Sequence, residues 1–444
     1  MTVLPSAVPE ATGPLANGRV RATTREITDP GDLATLLPAR DVVSWVRDGA
    51  GLIGWGAAAR LRLRGPGAAT TAMRWWRATS GGFDVVDEVS AWGTGPLMFG
   101  SLPFDERTGE ATFVVPAVVI GRRDGRAWLT SYSGATAVHP PLHPVDATPS
   151  AAASASAPID TAVSYADGAL SASAWMSVVA AAVRRIQAGE AGKVVLARDL
   201  VARSPAPIRV DAVLRDLARR YRSCWTFSVD GLIGATPEML ARRTGRTVLS
   251  RVLAGTVPRL ADDRGASLFS SAKNRQEHAY AVRSVAETLA SYCPDLQVPD
   301  GPSLLRLPNL SHLATDLTGT LEHEISALEL AGALHPTGAV GGNPSAVAMD
   351  LIPQLEQMDR GRYAGPIGWV DRAGDGEWGL ALRCAEITGA TARMFAGGGI
   401  VADSDPEIEL AETQAKFLVI RDSLESAVRE TASAGASGRT TTHD

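Results

Sequence analysis

The run Trp225-Thr-Phe-Ser-Val-Asp-Gly-Leu-Ile-Gly-Ala-Thr-Pro-Glu238 places two β-prone stretches on either side of Asp230-Gly231. Asp-Gly readily adopts the left-handed conformations of a two-residue hairpin turn, so the two stretches are predicted to pair antiparallel. Downstream and upstream of it, apolar residues at three and four spacing predict helices over 173–188 and 272–292, with further strands over 193–200 and 379–387. Nearer the start, short β-prone runs cover 42–46, 52–55, 60–63, 111–120 and 127–131, and Gly121-Arg-Arg-Asp-Gly125 supplies another hairpin-like turn. Helices mixed with antiparallel strands, and no internal repeat, describe an α/β or α+β enzyme.

The chain has 444 residues, 45% of them hydrophobic, which suffices for a sizeable core without disulfides. Its net charge of -5, with basic and acidic residues interspersed, excludes a broad basic field and so argues against nucleic acid or anionic membrane as partner. A small molecule is the better expectation. Cys224, Cys293 and Cys384 lack any paired spacing and read as packing residues of a reducing compartment. Residues 1–30 show neither a charged n-region nor an apolar h-region, which predicts a soluble, cytoplasmic protein. Residues 1–22 and 432–444 read as disordered tails, 145–158 as a low-complexity surface linker, and 23–431 as one catalytic domain.

Of 43 basic residues only Lys193, Lys273 and Lys416 are lysine, leaving 43 − 3 = 40 arginines. Where lysine persists against such a bias, the position can require a compact ammonium, or a side chain able to give up its proton. Lys193 opens the apolar run Lys193-Val-Val-Leu-Ala-Arg198 and is a candidate general base. Glu238 follows Thr236-Pro237, a pair that predicts a helix start with threonine as cap.

Two helical segments offer carboxylates to a hard cation. One is Lys273-Asn-Arg-Gln-Glu277-His278; the other follows Ser404-Asp405-Pro406-Glu407, which reads as a capping box, and aligns Glu409, Glu412 and Lys416 on one face. That last spacing also describes an ordinary surface ion pair. The neighbouring Gly397-Gly-Gly399 reads as a backbone loop able to receive an anion. The segment His335-Pro-Thr-Gly-Ala-Val-Gly-Gly-Asn-Pro344, punctuated by glycine and proline, is predicted to be a shaped loop.

These pieces, together with Leu253-Ala-Gly-Thr256, Leu310-Ser-His312, Tyr363-Ala-Gly365, Leu382-Arg383-Cys384 and Phe395-Ala-Gly397, stand in the order found in the chorismate-utilising enzymes. The chain resembles that family, and within it the isochorismate synthases. Fainter echoes at Gly51-Leu-Ile-Gly54 and Phe99-Gly-Ser-Leu-Pro-Phe104 extend the resemblance over most of the chain.

The resemblance implies a central two-sheet β sandwich flanked by helices, with the active site in a cleft among the matched segments. It implies that Lys193 activates a water attacking C2 of chorismate while Glu238 protonates the departing C4 hydroxyl. It assigns Mg2+ to Glu277 and Glu412, with Glu409 acting through water, and the substrate to Gly255, Thr256, His312, Ala339, Tyr363, Arg383, Gly397, Gly398, Gly399 and Lys416. Ammonia-using relatives carry glutamine at the place of Lys193, so the resemblance implies a water nucleophile and no amidotransferase subunit; the family at large suggests a monomer. Relatives that eliminate pyruvate, salicylate synthase among them, carry threonine where Ala339 stands, which implies that this reaction stops at isochorismate. Siderophore and menaquinone synthesis both remain open as its use. One departure is Asn274, where the family often has an acidic residue.

Overall fold

The computed structural model describes residues 8–12, 20–133, 162–258, 266–308 and 310–437. Within them two large sheets, of ten and thirteen strands, face each other across a shared apolar core. Trp45 and Phe227 reach in from the larger sheet and Trp369 and Trp378 from the smaller, and Trp45 Nε1 donates to Glu377 Oε2 at 2.6 Å across the gap. Burying each such ring is worth about 1.5–3 kcal/mol.

The predicted hairpins form as read. Trp225–Val229 pairs with Leu232–Thr236 through Asp230 (φ 47°) and Gly231 (φ 82°), and Val118–Arg123 pairs with Arg126–Ser133 through Asp124 (φ 52°) and Gly125 (φ 78°). Pairing is antiparallel throughout the described residues except between Arg21–Ile27 and Asp84–Asp87. Helices Val210–Arg220 and Pro406–Ser437 cover the outer face of the larger sheet through Val213, Leu217, Phe417 and Ile420. All three cysteines are buried and free. No helix of the described residues is long and apolar enough to cross a membrane.

Three stretches depart from the sequence reading for one reason: the chain changes sheets inside them. The run 111–120 divides into Glu110–Val115 in one sheet and Val118–Arg123 in the other, broken at Pro116, which cannot donate to a ladder. The run 379–387 divides into Gly376–Leu380 and Cys384–Thr388, with Arg383 in the left-handed region (φ 49°). Thr236-Pro237 starts no helix. It is the link from Leu232–Thr236 to strand Met239–Thr244 of the other sheet, and Thr236 Oγ1 accepts from the Glu238 amide at 3.3 Å.

Described elements reach into both predicted tails, of which residues 1–7, 13–19 and 438–444 lie outside the described residues. Val8–Thr12, inside the expected N-terminal tail, pairs with Ala59–Arg64, whose backbone can recruit a strand of almost any composition. Helix Pro406–Ser437 runs into the expected C-terminal tail because Ala432, Ala434 and Ala436 favour its continuation. The predicted linker 145–158 lies outside the described residues as well.

Candidate active site

Two of the sheet-changing links run side by side. Gly234 pairs with Cys384 in one sheet and Met239 with Gly379 in the other, so links 237–238 and 381–383 cross the core together and set Glu238 beside Arg383. Next to them, Gly255 (φ 76°) makes a bulge in strand Thr247–Pro258, where the register to Leu310–Thr320 slips between Ala254 and Thr256. The bulge seats on Asn274, whose Cβ would lie 3.2 Å from a Cβ at Gly255. It also lets the Ala254 carbonyl reach His278 Nδ1 at 3.2 Å.

These features close one side of a cleft lined by Glu238, Gly255, Thr256, Glu277, His312 and Ala339, and further by Tyr363, Arg383, the glycine run and Lys416. Thus all ten predicted substrate contacts share one cavity. Lys193, Glu409 and Glu412 do not line it; they pack against the glycine run.

Glu238 is buried, and burial pushes its carboxyl up to about 8 against the opposing pull of a Leu253 backbone hydrogen bond, Lys193 and Arg383. It is therefore protonated at neutral pH. His312 is neutral: burial, then Arg383 and Lys416, hold it well below the usual imidazole range. Arg383 Nη2 donates to His312 Nε2 at 3.3 Å, which leaves the ring proton on Nδ1, 3.0 Å from Thr256 Oγ1. Arg383 Nε is buried with no hydrogen-bond partner among the described residues, a donor free for an anion. Tyr363 stacks on Phe395 with ring centres 5.0 Å apart, which fixes its ring against the same wall.

The glycine run is a strand and not a loop: Val195, Leu196 and Ala197 pair with Gly399, Gly398 and Gly397. Glycine is needed there for close approach. A Cβ at Gly399 would lie 2.3 Å from Glu277 Oε1 and 2.6 Å from Lys193 Cε, and one at Gly398 would lie 3.0 Å from Glu409 Oε2. Lys193 is wholly buried, 3.3 Å from Glu277 Oε1, and its Nζ makes no hydrogen bond among the described residues.

Each lysine of the chain pairs with one of the three glutamates. Lys193 faces Glu277, Lys273 bonds Glu409, and Lys416 bonds Glu412 at 2.5 Å while also donating to the Gly397 carbonyl at 2.6 Å. The Glu412–Lys416 pair is thus no surface pair, since Lys416 is only 8% exposed. Burial, and then Glu412, raise the Glu409 carboxyl, which Lys273 and Ser404 counter. Ser404 Oγ donates to Glu409 Oε1 at 2.8 Å, and Asp405 caps the helix by accepting from Glu407 and Ile408, so the predicted capping box is absent.

Among the described residues no three acidic, histidine or cysteine side chains gather as a metal cluster. The donor chemistry nevertheless suits Mg2+, because three carboxylates of hard oxygen type meet one glycine strand. To take a cation there, the carboxylates must exchange ammonium partners for it.

Sequence reading missed Val340 and Arg360, both on the cleft wall. Arg360 had one visible signal, its place four residues after Glu356 on a helix end. Its other partners are remote in sequence.

A family model described as chorismate binding enzyme matches residues 43–425. The chain is 44% identical over 250 residues to isochorismate synthase DhbC of Bacillus subtilis, an alignment covering 52% of this chain and 63% of that protein. It is 34% identical over 368 residues to isochorismate synthase MenF of the same organism, covering 78% of each. The crystal structure of DhbC from Bacillus anthracis superposes with a TM-score of 0.72 at 31% identity, covering 88% of this chain and 98% of that one. Anthranilate synthase component I of Streptococcus pneumoniae, at 19% identity and a TM-score of 0.63, shares the fold. With a cleft built from the same ordered segments, the chain belongs to the chorismate-binding enzyme family.

Proposed function

We propose that this protein is a Mg2+-dependent isochorismate synthase that works without an amidotransferase subunit. The observation that carries the reading is the pairing of a solvent-free lysine, Lys193, with a carboxyl, Glu238, that keeps its proton to about pH 8 in the same site. In this reading Glu238 is the acid and Lys193 the base. Lys193 takes a proton from water as the oxygen bonds to C2. The ring double bonds shift, the C4–O bond breaks, and Glu238 gives its proton to the leaving hydroxyl. Arg383 and Tyr363 hold the enolpyruvyl carboxylate, the arginine through its unpaired Nε. Neutral His312 and Lys416 position the ring carboxylate.

Glu277 and Glu412, with Glu409 beside them, would hold Mg2+, which when bound supplies the positive charge that fixes the ring carboxylate. Activity is expected to vanish in excess chelator and to return on adding Mg2+, measured as isochorismate formed from chorismate by the isolated chain. Glu277→Ala or Glu412→Ala should lose that response; a variant with unchanged Mg2+ dependence removes its residue from the metal site.

The product assignment rests on Ala339, which lies on the cleft wall. Threonine there adds a hydroxyl and a methyl beside the ether, and can turn the enolpyruvyl group toward the C2 hydrogen. Ala339→Thr is therefore expected to slow isochorismate release and raise the pyruvate fraction, read by chromatography and a lactate dehydrogenase assay. Salicylate with stoichiometric pyruvate from the wild type would instead make this a salicylate synthase.

A further inference from the structure

Arg360, on the cleft wall, forms a buried ion pair with Glu356 that the proposed chemistry leaves without a task. Arg360 is 3% exposed and Glu356 1%. The guanidinium gives Nε and Nη2 to Glu356 at 2.9 and 2.5 Å, Nη1 to the Val340 carbonyl at 2.9 Å and Nη2 to the Val195 carbonyl at 2.8 Å. Glu356 in turn accepts from the Ala197 amide at 2.7 Å. Val340 follows Ala339, and Val195 lies two residues from Lys193 on the same strand. One side chain therefore joins the loop that carries Ala339 to the strand that carries the base.

The loop is gripped a second time at its start. His335 Nε2 lies 2.9 Å from the Phe104 carbonyl, and its ring meets the Phe104 ring edge-on with centres 5.8 Å apart. The Phe104 ring also meets the Arg360 guanidinium, 4.0 Å from its centre. Thr337 Oγ1 fixes the Ala339 amide between these two grips, at 3.2 Å. A buried ion pair adds little net stability over apolar packing of the same volume, so its use here is geometric. Only arginine has a planar fork of donors that can serve a carboxylate and two carbonyls in fixed directions.

We infer that Arg360, with Phe104, is a positioning device that holds Ala339 at a fixed distance from the Lys193 strand and thereby keeps bound isochorismate from losing pyruvate. The inference rests on the proposed isochorismate synthase activity. Pyruvate loss needs the C2 hydrogen to move to the enolpyruvyl methylene carbon while the C3–O bond breaks. The ring becomes aromatic as salicylate, the methylene becomes the methyl of pyruvate, and no further reactant is consumed. A loop held rigidly against the ether denies that alignment; a loosened loop allows it.

The test compares wild type, Arg360→Lys and Phe104→Leu with chorismate and Mg2+, measuring kcat, KM, pyruvate released per isochorismate, and melting temperature. Arg360→Lys keeps a cation beside Glu356 but cannot reach both carbonyls. It is expected to fold, to lose kcat by roughly 10-fold to 100-fold, and to release at least about twice the pyruvate fraction of wild type. KM should stay within about threefold, because Arg383 and Tyr363 are untouched. Phe104→Leu keeps every backbone contact and should shift the pyruvate fraction in the same direction by less. A folded Arg360→Lys enzyme with wild-type kcat and pyruvate fraction, or with raised KM alone, overturns the inference. If Arg360→Lys does not fold, an unchanged product ratio in Phe104→Leu overturns it. A wild type that makes no isochorismate removes the proposed function as well, so the two failures are distinguishable.

Discussion

Lys193→Ala is expected to lower kcat by about 10³-fold, the scale at which a positioned general base contributes. The side chain is shut away from solvent between Gly399 and Glu277, and its Nζ has no hydrogen-bond partner among the described residues. The amine lies 3.3 Å from Glu277 Oε1 behind the glycine strand that walls the cleft, and the proposed mechanism gives it the reactant water. Chorismate affinity, measured by calorimetry, should change little, since the groups assigned to its carboxylates lie elsewhere in the cleft. Near-wild-type turnover would remove Lys193 from the role of base.

Glu238→Gln is expected to cost a comparable factor, about 10²-fold to 10⁴-fold in kcat, because the amide matches the carboxyl in shape but is not an acid. The pH dependence separates this from a simple packing defect. Wild-type kcat should fall as pH rises through about 8, where Glu238 ionises, while the variant should show no such limb. Stability follows the same group. Folded Glu238 keeps its proton to about 8, against an ordinary value of 4.5, so its contribution is complete below 4.5 and is lost as pH rises through 8. Melting temperatures of wild type and Glu238→Gln should therefore diverge toward alkaline pH, with wild type losing ground. A wild-type profile flat through pH 9 in both measurements would remove Glu238 as the acid.

That the cleft-lining residues belong together came from the order of short motifs resembling one family; a lysine opening an apolar strand, carboxylates at helical spacing or a glycine run each also describe ordinary structure when taken alone. The hairpins were legible locally, Asp-Gly being a local preference for positive φ. What the sequence hid is the chain's transfer between sheets at 237–238 and 381–383. Locally such a link looks like continuing strand or a helix start, and only the opposite sheet makes it a crossing. The glycine run was misread as a loop because the carboxylates that exclude a Cβ come from two distant helices. Arg360 escaped because the backbone carbonyls it binds, Val195 and Val340, are separated from it by long stretches of chain and have no side-chain signature.

The concentration of all three lysines at one site makes the protein's amine chemistry unusual. Apart from a chain terminus, no other primary amine exists in the sequence. Their side chains are 0%, 24% and 9% exposed at Lys193, Lys273 and Lys416. An acylating reagent that modifies a lysine of this protein therefore reports on the glycine strand and the three glutamates packed against it, where Lys416 alone also lines the cleft. Lys273 is the most open to attack. The same distribution makes amine-directed coupling to beads or dyes a poor choice for handling the enzyme, because each internal attachment point is a counter-ion of the site.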